Sequence, residues 1–307
     1  MLMQVPEQWQ EHIAQLKQLK GAVILAHYYQ LPEIQEIADY VGDSLSLAQK
    51  ATETQAEVIV LCGVRFMAES AKILNPDKTV LLPALEAGCP MADMVSAQQL
   101  RALKEEHPEA IVVSYVNSSA EVKAESDLCC TSSNAVAVVR SIPPEQRIIF
   151  VPDRNLGHYV ASQTGRDMIL WPGYCPIHDR LQKAEVIACQ QEHPQARLVV
   201  HPECTPEITA MADAVCSTGG ILEYVKSSPD RQFIIGTEQG FLYTLKKNCP
   251  DKEFFIARSG FSCPDMKLIT LPVLAECLEK GQHSITVPEM IREKAAQALQ
   301  KMLAIRP

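Results

Sequence analysis

A set of polar residues recurs three times along the chain at nearly constant spacing, and any fold must treat the three copies alike. The copies begin at His27-Tyr28-Tyr29, Tyr115-Val116-Asn117 and His201-Pro202-Glu203, separated by steps of 88 and 86 residues. At the same steps Glu33 falls on Glu121 and Glu207, Asp39 on Asp127 and Asp213, and Ser44 on Ser132 and Thr218. Self-similarity at a fixed period marks a repeated structural unit. A fifth position follows with the steps exchanged, since Cys89-Pro90, Cys175-Pro176 and Cys263-Pro264 lie 86 and 88 residues apart. Cys130 and Cys216 also match each other, but the first copy has Gly42 there.

Each copy has the same local pattern. An apolar run (residues 22–26, 111–113 and 198–200) ends in the polar cluster, and a helix begins around Pro32, Ala120 or Pro206 and ends near the recurring Asp. A second helix is expected just after the hydroxyl residue. Further β-rich runs follow at 58–61, 148–151 and 233–235, and a last one precedes each Cys-Pro. Short apolar strands alternating with helices predict parallel sheets covered by helices. The expected fold is α/β, with three similar three-layer αβα units around a pseudo-threefold axis, at residues 21–106, 107–192 and 193–277. A helix within residues 1–20, with Trp9, Ile13 and Leu16 at helical spacing, is expected to pack on the first unit. In the C-terminal stretch 278–307, a closing helix over 286–305 is expected to start from a capping box of Thr286 with Glu289.

Composition narrows the function classes. The 307 residues are 47% apolar and 21% charged, which excludes disorder and collagen-like repeats. A net charge of -9 argues against a broad nucleic-acid footprint. No apolar stretch approaches the roughly 20 residues of a membrane span, and the longest, 58–64, reads as a buried strand. The N-terminal sequence does not read as a secretory signal, so a cytoplasmic protein is expected. A reducing compartment disfavours disulfides, and eleven cysteines cannot pair completely.

In open parallel sheets ligands collect beyond the carboxyl ends of the strands, where the clusters at His27, Tyr115 and His201 fall. Ser44, Ser132 and Thr218 are expected as N-caps of helices whose positive ends suit carboxylates or a phosphate. Three symmetric thiolates suit a four-iron four-sulfur cluster with one open iron, a Lewis acid for dehydration. A zinc site of three cysteines and a water, or three merely buried cysteines, satisfies the same spacing.

The stretches His27-Tyr28-Tyr29-Gln30, Gly88-Cys89-Pro90-Met91-Ala92-Asp93-Met94, Tyr115-Val116-Asn117 with Cys130-Thr131-Ser132-Ser133-Asn134, Gly173-Tyr174-Cys175-Pro176, His201-Pro202-Glu203-Cys204 and Cys263-Pro264-Asp265-Met266-Lys267 closely resemble the quinolinate synthase family, in order and over nearly the whole chain. One departure is Gly219-Gly220, where a bulkier or Ser-containing turn is expected. The resemblance implies a triangular arrangement of three α/β domains around one 4Fe-4S cluster, and condensation of iminoaspartate (iminosuccinate) with dihydroxyacetone phosphate to quinolinate, phosphate and water in NAD biosynthesis. It also implies a link to an L-aspartate oxidase or aspartate dehydrogenase that supplies the imine, with no nucleic-acid or membrane partner. Cys89, Cys175 and Cys263 are implied to hold the cluster. His27, Ser44, Tyr115, Asn117, Ser132, His201, Glu203 and Thr218 are implied to surround the substrate. Such chemistry needs an enolising base and proton donors, for which Glu203 is the candidate base and Tyr29 and His201 the proton carriers. His178 lies three residues after Cys175, in the pocket or supporting the cluster. Two other classes fit parts of the pattern: a zinc-dependent lyase or aldolase, and a non-catalytic iron-sulfur sensor.

Overall fold

A computed structural model describes residues 6–306 of the chain. Helix α1 (Glu7–Lys20) buries Ile13 and Leu16 and half-buries Trp9, and it stops at Gly21, whose left-handed φ of 57° lets the cap N–H reach back to Gln18 O and Lys17 O. The expected helix therefore forms, although residues 1–5 lie outside the described part.

Beyond Gly21 the chain uses one pattern three times. The first pass runs β1 (Ala22–His27), α2 (Pro32–Ile37), β2 (Tyr40–Gly42), α3 (Ser44–Glu53), β3 (Val58–Cys62), α4 (Arg65–Leu74), β4 (Thr79–Leu81) and α5 (Ala97–Glu106). The second runs β5 (Ile111–Tyr115), α6 (Ala120–Ala124), β6 (Leu128–Cys130), α7 (Ala135–Arg140), β7 (Ile148–Val151), α8 (Arg154–Thr164), β8 (Ile169–Leu170) and α9 (Lys183–Glu192). The third runs β9 (Arg197–Val200), α10 (Pro206–Thr209), β10 (Ala214–Val215), α11 (Thr218–Ser227), β11 (Gln232–Gly236), α12 (Phe241–Asn248), β12 (Glu253–Ile256) and α13 (Leu271–Lys280). Each pass builds a parallel four-stranded sheet: β2-β1-β3-β4, β6-β5-β7-β8 and β10-β9-β11-β12. The chain is α/β with three like sheets.

The strands are near-continuous apolar runs because helices cover both their faces. Ile24, Leu25, Ile59, Val60, Val112, Val113, Ile149, Phe150, Leu198, Val199, Ile234 and Ile235 are all fully buried. In every sheet the first strand lies between the second and third, so the strand order reverses beside it. A crevice opens at that reversal, outside the carboxyl ends of the strands. His27 ends β1, Tyr115 ends β5 and His201 follows β9, so the sequence clusters fall at the three crevices.

The recurring acids explain the constancy of the spacing. Asp39 Oδ2 accepts from Ile24 N–H at 2.7 Å, Asp127 Oδ2 from Val112 N–H at 2.8 Å and Asp213 Oδ2 from Leu198 N–H at 2.8 Å. In return the aspartate N–H groups donate to the carbonyls of Ile24, Val112 and Leu198. Each acid thereby ties the turn after a short helix to the first strand.

The closing helix α14 (Glu289–Ala304) differs from expectation at its start. It follows Pro288, whose φ is -55°, with no side-chain cap, so Thr286 and Glu289 form no capping box. Proline biases the residue before it away from helical backbone, which sets the boundary after Val287. Glu289 instead accepts from Arg292 Nε at 2.8 Å. Across the second unit, Asn134 Nδ2 donates to Met302 O and Ile305 O, both at 3.1 Å.

Candidate active site

The three crevices open into one cavity of about 310 Å³. His27, Tyr29, Ser44, Cys89, Tyr115, Asn117, Ser132, Cys175, His201, Glu203, Thr218 and Cys263 all line it, so the structure brings every sequence-selected residue together. His178 lines it too. Asp43, Thr131, Glu238, Asp265 and Arg180 are further polar lining residues that the repeat did not single out.

The hydroxyl residues are not the expected caps. In the first and third units the cap is the residue just before: Asp43 Oδ1 accepts from Ser46 N–H at 2.8 Å and Ser217 Oγ from Gly220 N–H at 3.1 Å. In the second unit α7 starts after Asn134 with no side-chain cap, and Thr131 Oγ1 accepts from Ser133 N–H at 3.2 Å within the preceding turn. Ser44 and Thr218 are the first residues of α3 and α11, and Ser132 lies in the turn before α7. None of the three recurring hydroxyls is a cap, and all three stand at the cavity wall near the helix starts. The departure at Gly219 has a steric cause. A Cβ there would stand 2.8 Å from Asp43 Oδ2, the oxygen that accepts from Ser133 Oγ at 2.7 Å.

Glu203 sits at the centre of the hydrogen bonding. Its Oε1 accepts from the Tyr115 hydroxyl at 2.6 Å, and its Oε2 lies 2.8 Å from His178 Nδ1. His178 Nε2 is 2.9 Å from Thr237 Oγ1, which is 2.5 Å from the Tyr29 hydroxyl. A carboxylate only accepts, so the proton of His178 belongs on Nδ1. Nε2 then accepts from Thr237, and Thr237 accepts from Tyr29. One donor direction satisfies the whole chain from Tyr29 through Thr237 and His178 to Glu203. The other two histidines are fixed by backbone: His27 Nδ1 accepts from Tyr29 N–H at 3.1 Å and His201 Nδ1 from Glu203 N–H at 3.3 Å. The remaining ring N–H of His201 donates to Ser132 Oγ at 3.2 Å.

Burial decides the charges. It holds the His27 imidazole down to about 4 and the His201 imidazole down to about 3, so both are neutral donors near pH 7. Burial also opposes ionisation of Glu203, but the imidazoles of His201 and His178 and the bonds from His178 and Tyr115 outweigh it and hold this carboxyl well below its usual range. Burial, reinforced by the Glu203 charge, pushes the Tyr29 and Tyr115 phenols well above theirs. Glu203 is therefore an anionic carboxylate set beside the neutral phenols of Tyr29 and Tyr115 and the neutral imidazoles of His27 and His201. Asn117 Oδ1 has no hydrogen-bond partner among the described residues, as suits a group awaiting a ligand donor.

The three cysteines sit in like turns. The Cys89 sulfur accepts from the backbone N–H groups of Ala92 and Met91, Cys175 from His178, and Cys263 from Met266 and Asp265. Without a metal, burial raises all three thiols, Cys263 to about 11. Thiols aimed into one cavity, with N–H groups directed at their sulfurs, are a donor set compatible with a metal cluster. Cys175, His178 and Glu203 also place their ligand atoms within 4.8 Å of one another. Among the described residues no helix is long and apolar enough to cross a membrane.

A cavity at the strand ends of three α/β units, with a buried carboxylate base and three facing thiols, defines a metal-compatible enzyme of small molecules. The sequence profile of the quinolinate synthetase A protein family matches residues 11–304, and the chain belongs to that family. It is 57% identical to a quinolinate synthase of Geotalea uraniireducens over 93% of this chain and 94% of that protein. It is 52% identical to a quinolinate synthase of Desulforudis audaxviator over 99% of this chain and all of that protein. Identity to quinolinate synthase 1 of Methanosarcina acetivorans is also 52%, over 96% and 97% of the two chains.

Proposed function

We propose that this chain condenses iminoaspartate with dihydroxyacetone phosphate to quinolinate, phosphate and water in NAD biosynthesis. Cys89, Cys175 and Cys263 would hold a 4Fe-4S cluster. The observation that carries the reading is the convergence of the three Cys-Pro turns on the cavity that holds Glu203 and its donor chain. When bound, the cluster supplies one iron free of protein thiolate, a Lewis acid for a substrate carboxylate or hydroxyl.

The protein residues supply the rest. Glu203 takes a proton from carbon in the enolising step, because it is an ionised carboxylate at the cavity wall, held in place by Tyr115 and His178. Tyr29 gives a proton to a departing hydroxyl and the Thr237 hydroxyl turns to donate to the phenolate left behind; the proton that Glu203 has taken leaves with a second departing hydroxyl, and solvent reprotonates Tyr29 once product departs. The hydroxyls of Ser44, Ser132 and Thr218, with the N–H of His201, orient anionic groups at the helix starts. His27 and Asn117 bind substrate oxygens. An L-aspartate oxidase or aspartate dehydrogenase would supply the unstable imine.

A second reading comes from the other ligand group: one zinc ion on Cys175, His178 and Glu203, as in a lyase. It leaves Cys89 and Cys263 without a role. Metal and sulfide analysis of anaerobically purified protein, followed by an assay for quinolinate from the two substrates, tests both. Four irons with sulfide and quinolinate formation are expected. Colourless, zinc-loaded protein without quinolinate formation would favour the second reading.

A further inference from the structure

The third Cys-Pro turn is fastened by an ion pair, buried on its acidic side, that the chemistry above does not use. Glu238 follows β11 and is fully buried. Its Oε1 accepts from Cys263 N–H at 3.2 Å and pairs with Lys267 Nζ at 2.9 Å, while its Oε2 accepts from Gly240 N–H at 2.7 Å. Lys267 Nζ also donates to the carbonyl of Tyr29, in the first unit. One carboxylate thus holds the backbone of Cys263, and the cation neutralising it holds the backbone of Tyr29.

Gly240 shows how closely these groups are packed. A Cβ there would lie 2.6 Å from Lys267 Nζ, 2.8 Å from Glu238 Oε2 and 2.8 Å from Tyr29 O. Its φ of -59° is open to any residue, so space rather than conformation demands glycine. Two neighbouring contacts cross the same boundary: Gln35 Nε2 donates to Gly240 O at 3.0 Å, and Gly88 N–H donates to Asp265 Oδ1 at 3.1 Å.

We infer that Glu238 and Lys267 form a latch between the third and first units, so that the grip of Cys263 on the metal group and the placement of Tyr29 are set together. Both are positioning residues. The inference rests on the reading of Cys263 as a cluster ligand. A buried charge left without its partner is strongly unfavourable, so removing Lys267 should release both ends of the latch.

The test uses anaerobic holoenzyme with Lys267→Met, Lys267→Arg and Gly240→Ala. Two quantities are read: iron release to a ferrous chelator, and amide exchange in peptides covering 260–267, 27–31 and the remote strand 148–151. Lys267→Met and Gly240→Ala should speed iron release and exchange in both 260–267 and 27–31 by about tenfold, with 148–151 unchanged and Lys267→Arg close to wild type. Faster exchange at 260–267 alone, or wild-type behaviour throughout in the folded Lys267→Met and Gly240→Ala variants, would overturn the latch. Equal acceleration in 148–151 would also overturn it, by showing general destabilisation. Wild-type protein that carries no iron would sink the cluster reading instead, while the exchange data would still judge the coupling of the two segments.

Discussion

Asp39, Asp127 and Asp213 make the same two backbone hydrogen bonds in their three units, whereas His27, Tyr115 and His201, twelve residues earlier, have taken separate roles. The acids act inside one unit, on its own first strand. The strand-end residues act across units: Tyr115 of the second bonds Glu203 of the third, and Tyr29 of the first bonds Thr237 of the third. A position that closes its own unit stays fixed when the unit is repeated. A position that meets the other copies at a shared cavity is free to differ, and here only the third copy carries the carboxylate.

The contrast can be broken at several points. The Cys-Pro turns are equivalent in form, and the proposed cluster needs all three, so Cys89→Ala, Cys175→Ala or Cys263→Ala should each abolish iron binding and activity. Cys62→Ala and Cys249→Ala should leave iron nearly intact, and equal iron loss in both groups would remove the distinction. Next, Glu203→Gln should keep the metal group and dicarboxylate binding while quinolinate formation falls at least about a hundredfold, since general-base catalysis is worth roughly that much. Undiminished turnover would move the base to His201 or Tyr29.

Smaller effects sharpen the same comparison. Thr237→Val keeps the shape of the side chain but severs Tyr29 from His178, so kcat should fall by about tenfold or more with iron content unchanged. The strand-end histidines also make stability depend on pH. Between pH 6.5 and about 4 the unfolded chain binds protons on His27 and His201 that the folded chain refuses, so stability falls as pH is lowered through that range. Urea unfolding midpoints should show this slope, and His27→Gln/His201→Gln should flatten it; an unaltered slope would assign it elsewhere. The smallest change belongs to the acids: Asp39→Ala, Asp127→Ala and Asp213→Ala should each cost about 1 kcal/mol of stability with kcat unchanged. Unequal costs, or a loss of turnover, would show that the acids too have diverged.

The sequence disclosed the strands and helices that carry a strong local signal. The central strands are apolar runs, and Pro32 and Pro206 stand at the first turns of α2 and α10. It did not disclose β2, β6 and β10, which are two or three residues long and too short to show a period. The site residues selected by recurrence converge because equivalent positions reach the same cavity. Thr237 and Glu238 escaped since neither recurs in all three copies: Gly63-Val64 follow β3, and Pro152-Asp153, which share only the acid, follow β7. A signal was present all the same. Each pair follows a central strand of its sheet, so the rule that ligands gather at carboxyl ends applies to it as much as to His27. The one-residue error at the caps of α3 and α11 has a similar origin, because Asp43 and Ser217 lie 174 residues apart, in step with the repeat, but differ in chemistry.

The two bonds from Asn134 to Met302 O and Ile305 O span 168 and 171 residues. Asn134 Oδ1 meanwhile accepts from Thr131 N–H at 2.8 Å, which makes the same amide the keystone of the turn that holds Ser132. The second hydroxyl turn is therefore fastened to the C-terminal helix as well as to its own unit, so the wall of the cavity at Ser132 depends on a segment that lies outside all three repeats.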